Sequence, residues 1–117
     1  AYQTVDVLRA MRVDSGITLS ALKVDGGASA NNYLMQTQAD LTGVPVLRPR
    51  CVETTAMGAS YLAGLAVGLW SSPLEVAGNW SVDRIFRPEL TSQERNRRLS
   101  GWNRAVACSR NWAKEEP

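Results

Sequence analysis

The chain has no histidine among its 117 residues and only two cysteines. Catalysis by an imidazole acid or base, Ser-His-Asp triads and histidine-containing metal sites are therefore excluded for this chain. Cys51 and Cys108 match neither a CxxC motif nor the spacing of zinc ligands. We expect two buried, reduced thiols in a cytoplasmic protein.

Long hydrophobic runs are also scarce. The most apolar stretch lies in residues 54–70, TTAMGASYLAGLAVGLW, and its length of about 15 apolar positions falls short of the roughly 20 that span a bilayer. Its interspersed glycines and alanines predict a helix that other elements approach closely inside a core. The first residues lack the basic and apolar regions of a secretory signal. They also lack an initiator Met, so we expect a piece of something longer.

The composition is 44% hydrophobic and 21% charged, which is typical of one soluble globular domain. The predicted elements, in chain order, are a helix over residues 1–13, a strand over 19–24, a helix over 30–41, a strand over 44–47, a helix over 54–70, a connection over 71–88 and a last helix from residue 91. Thr91 and Glu94 have the spacing of a capping box, in which each side chain binds a free backbone amide at the helix start.

The most informative stretch is LKVDGGASANNYLMQ, residues 22–36. Two glycines between a strand and a helix allow a sharp turn and a close approach of a ligand to the backbone. The helix that follows directs its free amides toward that turn, which suits a nucleotide or phosphate. The spacing fits neither GxGxxG nor the P-loop motif. A turn that needs glycine for its geometry alone remains equally compatible with this spacing.

Four segments carry a resemblance to a known family: AYQTVDVLRAM, LKVDGGASANNYLMQTQADLTGVPVLRP, ETTAMGASYLAGLAVGLW and ERNRRLSGWNRAV. Together they resemble the C-terminal part of the glycerol kinases, which belong to the carbohydrate kinases built on the actin and hexokinase fold. The resemblance covers nearly the whole chain. It implies an α/β, ribonuclease-H-like C-terminal domain of the actin-like ATPase type, incomplete at its N-terminal side. Residues 1–117 would then be a fragment of the nucleotide-binding domain.

The same resemblance implies an adenosine-binding segment at the DGGAxxN motif. Carried over position by position, it assigns nucleotide contacts to Gly27 and Asn31, with Gly26 and Ala28 completing the turn. Asp25 is better interpreted as an anchor of that turn than as a magnesium ligand or base, because it lies at the strand end. No catalytic residue is assigned within this chain.

The resemblance further implies ATP or ADP as cofactor, with Mg²⁺ bound mainly by parts that this chain lacks. It implies glycerol as the substrate of the complete enzyme, a missing N-terminal kinase domain as partner and a homo-oligomer. Membrane binding is not expected, and the isolated chain is expected to be inactive. A related kinase for another polyol remains a weaker alternative.

A second interpretation comes from the charge distribution. Residues 84–114 hold eight basic and two acidic side chains, a net charge of +6, so the remainder of the chain carries −4 out of a total of +2. A basic helix with Trp102 and Trp112 is compatible with a non-catalytic module, derived from the kinases, that binds nucleic acid or a protein partner. A solvated arginine face is favoured instead, because both tryptophans fall on the apolar stripe with Leu99, Val106 and Ala113.

Overall fold

The computed structural model describes residues 1–110. Its first helix, α1, runs over Tyr2–Ser15 and ends at Gly16, whose backbone is left-handed with φ 70°. The N–H of Gly16 donates to the carbonyl of Arg12 at 2.9 Å, which closes the last turn. The predicted first helix is confirmed, and it is slightly longer than residues 1–13.

Three strands form one sheet: β1 at Leu22–Lys23, β2 at Val46–Pro49 and β3 at Val82–Phe86. The order is β1-β2-β3, with β1 and β2 parallel and β2 and β3 antiparallel. The strand predicted over residues 19–24 is therefore too long. The strand predicted over residues 44–47 starts two residues later than expected, at Val46, because Pro45 precedes it. Strand β3 lies inside the connection predicted over residues 71–88, so that part of the prediction is wrong.

Between β1 and β2 the chain forms a short 3₁₀ helix at Gly27–Ala30 and then helix α2 at Asn32–Thr42. The predicted helix thus starts two residues later than expected, because the glycine turn first winds more tightly. Helix α2 ends at Gly43, which is left-handed with φ 75°. Parallel strands on either side of α2 make a β-α-β unit.

Helix α3 at Thr54–Ala66 and the short helix α4 at Pro73–Ala77 follow β2. The prediction that α3 is buried in a core is wrong for this chain. Its only buried residue is Gly64, whereas the Leu62 side chain is 71% exposed and that of Leu69, beyond the helix, 68%. No element in the described part of the chain covers its leucine-rich surface. Among residues 1–110, no helix has both the length and the hydropathy to cross a membrane.

The last helix, α5, spans Ser92–Arg110. Half of the predicted capping box is present, since the N–H of Glu94 donates to the hydroxyl of Thr91 at 3.2 Å. The other half is wrong: the Glu94 carboxylate instead accepts bonds from Arg97 and Arg98 at 2.8 and 2.9 Å. These two guanidinium groups lower the pKa of Glu94 to about 2. Of the predicted stripe, Trp112 and Ala113 lie outside the described residues.

The core consists of two small apolar clusters on the two sides of α2. Met35, Ala39, Val46 and Phe86 join α2 to the sheet. A second cluster joins α2 to the terminal helices, and its members are Val5, Leu41 and Leu99. Helix α2 is therefore fixed from both sides, which holds the turn that precedes it.

The prediction of two buried thiols is also wrong, because both cysteines are exposed. Cys51 lies in the loop that follows β2. Cys108 lies on α5 nine residues after the buried Leu99, and this spacing places it on the opposite face of a helix with 3.6 residues per turn.

Candidate functional site

The glycine turn begins at Gly26, which adopts φ 76° and ψ 169°. This conformation is essentially restricted to glycine, because a Cβ would collide with the backbone. The N–H of Gly26 donates to the carbonyl of Val52 at 2.8 Å, just before helix α3. The turn is thereby attached to the segment that leads into α3.

Ser29 stabilises the turn with two hydrogen bonds. Its hydroxyl and its N–H both donate to the Gly26 carbonyl, at 2.7 and 3.0 Å. The Ser29 side chain is buried, and it makes the 3₁₀ helix compact. The sequence reasoning missed this residue, since a serine in a small-residue run carries no distinguishing signal.

Asp25 acts as an anchor, in line with the interpretation from the sequence. The hydroxyl of Thr54, the first residue of α3, donates to its carboxylate. This bond links the end of β1 to the start of α3, 29 residues further along the chain. Together with the bond from Gly26 to Val52, it holds the turn at two points.

Gly27 and Ala28 face solvent on the outer side of the turn. A methyl group placed on Gly27 would meet no other heavy atom within 4 Å, and its φ is not left-handed. Within residues 1–110, no packing or backbone requirement therefore explains a glycine at position 27. The open space above it is accessible to a ligand.

Asn31 is the N-cap of α2. Its Oδ1 accepts a hydrogen bond from the N–H of Leu34 at 3.1 Å, and the side chain is exposed. Within the described part of the chain, the carboxamide nitrogen of Asn31 has no hydrogen-bond partner. The residue therefore stabilises the helix start with its oxygen and presents two N–H donors to solvent.

Arg48 on β2 is a further residue of the site that the sequence did not indicate. Its Nη1 donates to the carbonyl of Ser29 at 3.1 Å, to that of Ala30 at 3.4 Å and to Oδ1 of Asn32 at 2.8 Å. These acceptors lie on both sides of Asn31. An arginine in a strand gives no sequence signal for such a role, because its partners lie 16 to 19 residues away.

The site contains backbone amides, the α2 N-terminus and an asparagine amide. These groups bind through hydrogen bonds and the positive end of the helix dipole. Among residues 1–110, no three Cys, Asp or Glu side chains converge in a way that would hold a metal ion. Hydrogen-bond donors of this kind suit a nucleotide or phosphate.

Residues 1–67 match the FGGY family of carbohydrate kinases, C-terminal domain. The chain is 60% identical to a glycerol kinase of Agathobacter rectalis over 116 residues, which are 99% of this chain and 23% of that protein. Glycerol kinase 1 of Clostridium tetani shows the same identity and coverage. The chain thus spans about a quarter of the length of the curated relatives it matches.

Solved structures agree with this relation. The crystal structure of Plasmodium falciparum glycerol kinase with ADP matches 97% of this chain and 22% of that one, with a TM-score of 0.78 and 28% identity. A xylulose kinase of Lactobacillus acidophilus matches 80% of this chain and 19% of that one, with a TM-score of 0.62; at 19% identity it supports the fold alone. The expected α/β fold of the actin-like ATPase type is confirmed. The chain belongs to the FGGY family of carbohydrate kinases, and it corresponds to part of their C-terminal domain.

Proposed function

We propose that this chain forms the adenosine-binding side of an ATP-dependent glycerol kinase. In this proposal, residues 1–117 are a fragment of the C-terminal nucleotide-binding domain. The observation that carries it is the open space over Gly27, at the start of the 3₁₀ helix that leads into α2, in a chain 60% identical to glycerol kinases over 99% of its length. The ADP named for the Plasmodium relative supports the choice of nucleotide.

Each residue of the glycine turn has a separate part in the proposed site. Gly26 sets the direction of the turn through its positive φ. Gly27 and Ala28 form the surface on which the nucleoside lies, because neither presents a side chain larger than a methyl group. Asn31 donates a hydrogen bond from its free carboxamide nitrogen.

The complete reaction would transfer the γ-phosphoryl group of ATP to a glycerol hydroxyl, giving glycerol 3-phosphate and ADP. Bound ATP supplies that phosphoryl group. Such a transfer also requires a base for the hydroxyl and Mg²⁺ that neutralises the phosphates. We assign these groups and the glycerol contacts to the N-terminal kinase domain, and we therefore expect no glycerol phosphorylation by this chain alone. We place the enzyme in the cytoplasm, as a homo-oligomer.

The nucleic-acid alternative loses its main support in the packing of Trp102. The indole stacks on Tyr2 with ring centroids 5.3 Å apart, and its Nε1 donates to Asp6 at 2.7 Å. The ring face and the N–H are thus used within the protein. A base could stack on that face of the ring only by displacing Tyr2.

Gly27→Val tests the proposed site. A Cβ at this position meets no heavy atom within 4 Å in the free protein. The isopropyl group of valine would occupy the space of the nucleoside, so ADP affinity measured by calorimetry should fall more than about tenfold, the equivalent of roughly 1.4 kcal/mol. Gly101→Val is the matched control, since Gly101 also has no heavy atom near its Cβ position but lies on α5. Equal ADP affinity in both variants and the wild type would refute the assignment.

A further inference from the structure

The arginine on β2 is held at every nitrogen of its guanidinium group. Nε and Nη2 of Arg48 bind Oδ2 of Asp83 on β3, at 2.9 and 2.7 Å. The remaining nitrogen, Nη1, donates to Ser29, Ala30 and Asn32. The Arg48 side chain is only 13% exposed, so these bonds are largely shielded from water.

The acceptors of Nη1 explain what this arrangement does. The carbonyls of Ser29 and Ala30 belong to the end of the 3₁₀ helix, where carbonyl groups lack partners within the helix. Asn32 is the first residue of α2. One nitrogen therefore joins the last turn of one helix to the first turn of the next, and Asn31 is the single residue between them.

The ring of Phe86 fixes the guanidinium from a third direction. Arg48 lies with its Cζ 5.3 Å from the ring centroid, and Phe86 is buried in the core beside α2. A planar guanidinium can stack on a ring and bind a carboxylate through two nitrogens at once, which a lysine cannot reproduce. The orientation of Arg48 is therefore set by the sheet.

We propose that Arg48, oriented by Asp83, is a positioning residue that holds the Asn31 carboxamide in place for nucleotide binding. Neither the Arg48 side chain nor the Asp83 side chain touches the nucleotide in this proposal. The effect on ADP rests on the proposed function, whereas the effect on Asn31 is a property of the free chain. The two parts can be measured separately.

The amide of Leu34 reports directly on Asn31, because its N–H donates to Asn31 Oδ1. In Arg48→Lys, Leu34 amide hydrogen exchange in the absence of nucleotide should rise about tenfold, the equivalent of one ordinary hydrogen bond. ADP affinity should fall about threefold or more through the same loss of order. Amides of β2 paired with β3 should keep their exchange rates.

Arg84→Lys is the matched control. Arg84 also lies over the Phe86 ring, at 4.7 Å, but it makes no hydrogen bond to the turn within the described residues. It should leave Leu34 exchange and ADP affinity unchanged. If Arg48→Lys does not fold, Asp83→Asn replaces it: Asp83 is 46% exposed, and this change removes the charge that orients Arg48. Asp83→Glu should restore wild-type exchange and affinity.

Unchanged Leu34 exchange in the folded Arg48 or Asp83 variant would overturn the proposal, and so would equal increases in the Arg84 control. A changed Leu34 exchange rate together with an unchanged ADP affinity would also overturn the positioning role. A wild-type chain that binds no ADP would instead refute the proposed function. In that case the exchange rates still decide whether Arg48 holds Asn31.

Discussion

The two neighbouring glycines of the turn are glycines for different reasons. Position 26 requires glycine because its backbone adopts a positive φ of 76°. Gly27 has an ordinary φ and empty space around it, so nothing within the described protein requires it. This contrast separates a position where the fold requires glycine from one that the fold leaves open to a ligand, a distinction that the spacing DGGA alone does not provide.

Asn31 serves two purposes, and two variants separate them. Asn31→Ala should lower the free energy of unfolding by about 1 kcal/mol through the lost N-cap, and should weaken ADP binding by roughly 1 kcal/mol through the lost hydrogen bond. Asn31→Ser retains a capping oxygen but lacks the carboxamide donor, so it should restore stability without restoring affinity. Urea unfolding and calorimetry measure the two quantities. Restored affinity in the serine variant would contradict the donor role.

At this scale, the resemblance assigned Gly26, Gly27, Ala28 and Asn31 to the proposed site, because they match one short family motif after a strand. Arg48 was not assigned to it, because its role depends on contacts between residues that are distant along the chain.

Among the elements, the start of α5 is sensitive to acid. The pKa of Glu94 is lowered from 4.5 to about 2 by hydrogen bonds from Arg97 and Arg98. Because the folded-state pKa is the lower one, this contribution to stability is complete above pH 4.5 and is lost as the pH falls through about 2. NMR titration of the Glu94 carboxyl carbon should give a midpoint near 2. In Glu94→Gln, the thermal unfolding of the helix should lose this component of its pH dependence. An NMR titration midpoint near 4.5 for Glu94 in the wild type would contradict the hydrogen bonds from Arg97 and Arg98.

In α3, the end of the helix packs against a tryptophan. Trp70 meets Tyr61 edge to face, with centroids 5.2 Å apart, and a methyl group on Gly64 would collide with its indole ring. Gly64→Ala should therefore destabilise this segment by about 1–3 kcal/mol. Gly58→Ala, in the same helix but with open space, should instead stabilise it by up to about 1 kcal/mol. Denaturation followed by circular dichroism compares them, and equal effects would disprove the Trp70 contact.

The predictions of secondary structure succeeded where local signals were sufficient. Helices α1 and α2 lie within about two residues of their predicted bounds, and each ends at a left-handed glycine. Strand β3 was missed because it forms through pairing with β2, with Phe86 opposite Val46. Such pairing joins residues far apart in sequence, and no turn motif between the strands predicts it.

At the scale of the whole molecule, the chain is less compact than its length would allow. Its radius of gyration is 18.8 Å, against about 13 Å for a compact chain of similar size. The apolar texture of α3 correctly suggested a helix, but its burial was inferred on the assumption that the covering elements lie within these residues. The composition shows that a surface is apolar, but it does not show whether another segment covers that surface.

The proposal that residues of the glycine turn form a nucleotide site can be tested by an amide-resolved NMR titration of the chain with ADP and Mg²⁺. Saturable shifts should be concentrated at residues 26–32, with the arginine face of α5 unaffected. A dispersed spectrum in which the amides of the turn do not move, or saturable shifts on α5 instead, would contradict the proposed site.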